Sequence, residues 1–157
     1  MARLNDEILR FFRKQHYVIV STICRKSGEP HNSCKGIVHI NRNGRIYLLD
    51  LYKWQTFANL KKNPNISVTA VDEHRFKGWC LKGKAKIVAG NKVTPEIIRS
   101  WETKVAARIT HRLIKNIKEV KGHERHPEAQ LPKPEYMIVM IVDEVVDLKP
   151  HHVKENG

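Results

Sequence analysis

Lys53, Gln55 and Thr56 fall within four residues, where a strand-like run over 45–51 gives way to helical spacing. The first turn of a helix presents unpaired backbone N–H groups and a partial positive charge, which suits a phosphate. Lys53 would add a full charge there, and Gln55 and Thr56 would add neutral donors. The same residues also suit plainer duties, Thr56 as a cap and Lys53 as a solvated lysine. Helix starts are common and bound phosphates are not, so the local sequence alone favours the plainer reading.

Two other groupings could do chemistry. Lys104, Arg108, His111, Lys115 and Lys118 recur at steps of four and three, a basic stripe on one face of a long helix. Such a stripe can follow a nucleic-acid backbone, but it is also the polar side that any amphipathic helix needs, and no zinc spacing or RNA-binding strand motif accompanies it. His123 and His126 lie in a polar stretch and His151 and His152 near the end. None stands at ligand spacing from a Cys or carboxylate, so no metal site is expected.

The elements that position these residues follow from period and punctuation. Asn5 before Asp6 and Glu7 starts a helix, and Ile8, Leu9, Phe11 and Phe12 form its apolar stripe. β-Branched residues over 17–24 predict a strand, Ser27-Gly28 a turn, and 31–40 a second strand. Asn43-Gly44 predicts a type I′ hairpin into the third strand, so the first three form a meander. Trp54, Phe57 and Leu60 are helically spaced until Asn63-Pro64-Asn65 ends the segment. Strands follow at 66–71 and 79–88, with Gly83 marking a bulge or sharp bend. Thr94-Pro95-Glu96 opens a helix to about 121, and 136–146 is a last buried strand. Dominant strands joined by hairpins predict a mainly β fold, a small antiparallel barrel or curled sheet with helices outside it.

Composition bounds the rest. A chain of 157 residues predicts one domain, 1–157. A 41% hydrophobic and 29% charged content excludes a disordered or fibrous chain. No run approaches the ~18 apolar residues of a membrane helix, and Asp6 and Glu7 interrupt any signal-peptide core. Three widely spaced cysteines form no disulfide framework, and a reducing cytoplasm is expected. The net charge of +13 implies an anionic partner, and the excess lies in residues 1–90, with 17 basic against 6 acidic side chains.

The ordered set Pro30-His-Asn-Ser-Cys-Lys35, Asn43-Gly-Arg-Ile-Tyr47, Gln55-Thr-Phe-Ala-Asn-Leu-Lys-Lys-Asn-Pro64 and Lys82-Gly-Lys-Ala85 resembles the FMN-binding split-barrel family, which includes the pyridoxamine 5′-phosphate oxidases. The resemblance covers residues 5–90 well and the final strand more loosely. It implies a six-stranded antiparallel split barrel of Greek-key type, a homodimer, and an FMN in each of two clefts between subunits. The phosphate would lie on the turn at 53–56. Ser33, Cys34 and Lys35 would line the flavin, and Leu49, Asp50 and Leu51 would stand beside the ribityl chain and ring edge. Thr56 matches a family threonine or lysine at the phosphate, whereas Gln55 departs from the usual Lys or Arg. Trp79 falls near a position that borders the ring in some members, and Gly78 replaces a glutamine of the oxidase.

Lys35 is the candidate cation for the reduced ring; equally, it suits a solvent-facing place on an alternating strand. Cys34 fits a small buried strand residue better than a redox thiol. Asp50 suits either a ribityl hydroxyl or the backbone donors of its turn. The expected function is an FMN-dependent oxidoreductase or flavin reductase that exchanges hydride with NAD(P)H or a small substrate. Pyridoxamine-phosphate oxidase activity itself is not expected, because the terminus lacks an Arg-x-His substrate pair. The alternatives are a non-catalytic basic module, for flavin storage or nucleic-acid contact, and a deazaflavin- or haem-binding member of the same fold.

Overall fold

The computed structural model describes residues 1–50, 52–118 and 135–150, with side chains 108, 109 and 111–118 excepted. In chain order the elements are α1 (Asp6–Lys14), β1 (Val18–Ile23), β2 (Pro30–Ile40), β3 (Arg45–Leu49), α2 (Gln55–Leu60), β4 (Asn65–Asp72), β5 (Lys77–Ala89), α3 (Pro95–Lys118) and β6 (Tyr136–Asp147). The six strands close into an antiparallel barrel in the order β1-β2-β3-β6-β5-β4, flanked by the three helices. Closure leaves no sheet edge open to pair with another chain.

Alternation sorts each strand into an inner and an outer row. Val18, Val20, Ile46, Leu48, Ile66, Val68, Leu81, Ile138, Met140 and Val142 are buried in one interior cluster. Asn5 caps α1 through the Ile8 N–H at 2.9 Å, and Leu4, Ile8, Leu9 and Phe12 join the same cluster. α3 covers part of the outside: Ile97 and Trp101 pack with Val38 and Met137, flanked by Tyr47 and Leu49. β6 therefore has cover on both faces, which explains why Tyr136 to Met140 are buried without alternation.

Two turns carry the topology. The hairpin at Asn43-Gly44 forms, but as a three-residue loop and not a type I′ turn. Gly44 N–H donates to Asn41 O at 3.2 Å, and only Gly44 of the pair has positive φ, +69°. A type I turn with a left-handed glycine closing it meets the same twist requirement. At Gly83 the β5–β6 register shifts, and a Cβ there would stand 2.0 Å from Ile141 O. The bulge exists because the backbones approach too closely for a side chain.

Candidate functional site

α2 is shorter than the helical spacing suggests. It holds six residues, and Trp54 is not on its buried stripe but precedes it, 75% exposed and stacked on Tyr52 at 5.1 Å. Phe57 and Leu60 do turn inward. Trp54 offers no side-chain cap; before α2 the Tyr136 hydroxyl lies 3.1 Å from Tyr52 O, its single hydrogen shared between that carbonyl and Asp50.

The predicted residues divide between the two faces of the wall. Val18 pairs with Lys35 and Val20 with Ser33, so Ser33 and Lys35 belong to the inner row. They meet side chains arriving from β3 and α2. Lys35 Nζ donates to Asp50 Oδ1 at 2.6 Å, and Tyr136 Oη donates to Asp50 Oδ2 at 2.7 Å. Ser33 Oγ and Thr56 Oγ1 lie 3.0 Å apart. Beside them Gln55 donates to Asn59 Oδ1 at 2.8 Å, and Asn59 donates to Thr22 Oγ1 at 3.0 Å. Thr22, Asp50, Thr56 and Asn59 are the buried polar residues among those described. Together they form a polar layer beneath α2, with each of these groups hydrogen-bonded as burial requires.

Several expectations for single residues change. Lys35 is neither a free cation nor a solvent-facing one: its side chain is 13% exposed and paired with a carboxylate that is 2% exposed. Asp50 takes side-chain donors, from Lys35 and Tyr136. Cys34 is exposed, because it alternates with two inner-row residues and pairs with Ile19 on the outer face. Leu49 also faces outward, into the cluster with Trp101. Trp79 is buried against Phe11, ring centroids 4.6 Å apart, and offers almost nothing to a ligand in this chain. Leu51, His123, His126, His151 and His152 lie outside the described residues, as do the side chains of Arg108, His111, Lys115 and Lys118 in the basic stripe.

The electrostatics of the corner balance. Lys53 Nζ meets Glu135 Oε2 at 2.8 Å with both groups largely in solvent, and the Lys53 hydrogen bond holds the Glu135 carboxyl below its usual range. Lys35 and Lys53 are thus matched by Asp50 and Glu135. The two pairs differ in hold. The exposed one is screened and easily exchanged, whereas the buried one cannot lose a partner without stranding a charge. Burial, then the Asp50 carboxylate, pushes the Tyr136 phenol far above its ordinary value.

The donors fit the anionic end of a flavin nucleotide. A hydroxyl pair needs only one hydrogen for its mutual bond, so Ser33 and Thr56 keep a second to donate. A doubly charged phosphate can replace Glu135 on Lys53, and the Gln55 amide has a further N–H. Lys35, the candidate cation of the sequence, is charge-paired with Asp50. Tyr136, Asn59 and Thr22 were not foreseen as members of this layer. Tyr136 opens an apolar run and reads as core, while its partner Asp50 is 86 residues away. Among the described residues no three His, Cys, Asp or Glu side chains group as metal ligands, and no helix is long and apolar enough to cross a membrane.

Trp101 Nε1 is the one buried side-chain polar atom among the described residues that lacks a partner. A cavity of about 500 Å³ lies between β2 and α3, and another of about 520 Å³ beside Lys82 and Thr22. None of the nine predicted site residues that the structure describes lines either.

Against known proteins, the pyridoxamine 5′-phosphate oxidase family pattern matches residues 4–145. No curated protein matches the chain. Among solved structures, HupZ of Group A Streptococcus is 15% identical with a TM-score of 0.63, covering 93% of this chain and 95% of that one. A Clostridium acetobutylicum protein related to general stress protein 26 of B. subtilis, of the pyridoxinephosphate oxidase family, is 16% identical with a TM-score of 0.57, covering 96% and 99%. The conserved hypothetical protein Rv2991 of Mycobacterium tuberculosis is 18% identical with a TM-score of 0.61, covering 96% and 88%. At these identities the likeness is one of fold.

Proposed function

Since the chain belongs to the pyridoxamine 5′-phosphate oxidase family, we propose that it is a flavin-dependent oxidoreductase or flavin reductase that holds FMN as a homodimer. The observation that carries this reading is the donor corner at the β2–β3–α2 junction. There Ser33 and Thr56 pair their hydroxyls, Gln55 at the start of α2 donates to Asn59, Lys53 precedes the helix in an exposed pair with Glu135, and Lys35, Asp50 and Tyr136 form a hydrogen-bonded network. A phosphate needs several donors held together, and a helix of six residues would supply too little by its own dipole.

A second copy is part of the proposal. Tyr17, Ile19, Val71 and Phe76 are exposed on or beside the outer face of β1, β4 and β5, an apolar surface suited to burial between subunits. Bound flavin would supply reversible acceptance of a hydride from NAD(P)H or a small substrate. The protein's own part is positional. Ser33, Thr56 and Lys53 bind the tail, Asp50 fixes Lys35 and Tyr136, and Tyr136 stays a protonated donor at any ordinary pH.

The test is the visible spectrum of the purified protein before and after NADPH. A protein-bound flavin band that bleaches on reduction is the expected result. A chain that is colourless, and stays so after incubation with FMN and with a deazaflavin, contradicts the proposal. Binding of the deazaflavin alone would keep the site and replace the cofactor.

A further inference from the structure

The cavity between β2 and α3 lies apart from the flavin corner and has its own chemistry. Its volume, about 500 Å³, is within the range of small-molecule sites. Three elements wall it. Val38 and Ile40 of β2 supply apolar lining. Glu96, Arg99, Ser100, Thr103 and Lys104 come from one face of α3, at steps of three and four, and Arg13 comes from the last turn of α1. The β2–β3 register shifts between Ile37 and His39, and the strand carbonyls there take side-chain donors: Arg13 donates to Ile40 O at 3.3 Å and Lys104 to Ile37 O. Both cations are thereby set at the cavity by backbone contacts. Among the lining residues, Arg13, Arg99 and Lys104 stand against the single carboxylate of Glu96.

His39 reports the convergence. Burial holds its imidazole below the usual range; Glu96 pulls it up, and Arg13 and Lys104 push it down. All three charges therefore act on one ring, which also lies edge-on to Tyr47 at 6.0 Å. A merely solvated basic crevice would not gather cations from two helices around a partly buried imidazole and an apolar strand surface.

We infer that this cavity is a second ligand site, which takes a small organic anion with a carboxylate or phosphate head. The head lies among Arg13, Arg99 and Lys104, Ser100 and Thr103 offer hydroxyl donors, and the carbon body rests on Val38 and Ile40. No covalent step is involved.

The experiment titrates the full-length protein, with FMN present at saturation, against inorganic phosphate and against succinate. Heat of binding and the His39 imidazole resonances are the readouts. At least one probe is expected to bind saturably and move the His39 signals. Arg99→Gln should weaken that binding about tenfold, and Glu96→Gln should tighten it several-fold by removing the opposing charge. Phosphate alone binding assigns a phosphate head, and succinate alone a carboxylate head. Neither probe binding, equal affinity in Arg99→Gln and wild type, an unmoved His39, or release of FMN by the probe would each overturn the inference.

Discussion

Replacing Asp50 by alanine removes the acceptor shared by Lys35 and Tyr136, and the size of the effect follows from burial. The carboxylate is 2% exposed and the Lys35 side chain 13%, so the ammonium is left unmatched where water barely reaches. Breaking a buried pair from one side costs about 3–5 kcal/mol. Tyr136 loses less, because its hydroxyl keeps Tyr52 O at 3.1 Å. Lys35 can move part of its charge towards solvent, which places the expected loss near the lower bound, about 3 kcal/mol. For a chain of this length that is a fall of roughly 6–12 °C in Tm. Urea unfolding at neutral pH measures it, with an unchanged m-value showing that only stability moved. The double variant Lys35→Met, Asp50→Leu should recover most of the loss, since an apolar pair leaves no charge behind. An Asp50→Ala loss under about 1 kcal/mol, or a double variant no better than the single, would refute the reasoning.

Three further outcomes are expected. Because the folded Tyr136 phenol is held above its ordinary value of about 10, the unfolded chain releases that proton first. Stability should therefore fall as pH rises past about 10, more steeply than in Tyr136→Phe, as urea midpoints across that range would show. Gly83→Ala places a Cβ 2.0 Å from Ile141 O, a backbone atom that cannot yield, and should cost about 3 kcal/mol by the same assay. Glu135→Gln frees Lys53 and should tighten FMN binding several-fold, while Lys53→Ala should weaken it about tenfold, both read by flavin fluorescence.

Local signals carried much of the fold. Asn5 before two acids and Thr94-Pro95-Glu96 set helix starts that the structure keeps, and the strand runs set all six barrel strands to within a few residues. Gly83 marked its bulge because a missing side chain leaves a sign in the sequence. Asn43-Gly44 marked a hairpin but not its turn type, since both geometries want a glycine with positive φ. Trp54 misled because an aromatic at helical spacing counts as core, whatever the strand before it does to its direction.

The site was half legible. The strand period that separates Cys34 from Ser33 and Lys35 was present in the sequence, but the resemblance grouped all three by position along the chain and not by face. The bond from Tyr136 to Asp50 left no local sign. It exists because β3 pairs with β6 when the barrel closes, bringing Leu49 opposite Met137. Likewise the carboxylates that match Lys35 and Lys53 become partners only in three dimensions, so a turn that looked positive in sequence is charge-balanced in the structure.

The most direct test of the flavin corner is a fluorescence titration of flavin-stripped protein with FMN, comparing wild type with Ser33→Ala, Thr56→Val. Saturable quenching in the wild type, with affinity lower by at least about tenfold in the double variant, is the predicted result. Equal affinity in the two proteins, or no quenching in wild type at saturating FMN, would contradict it.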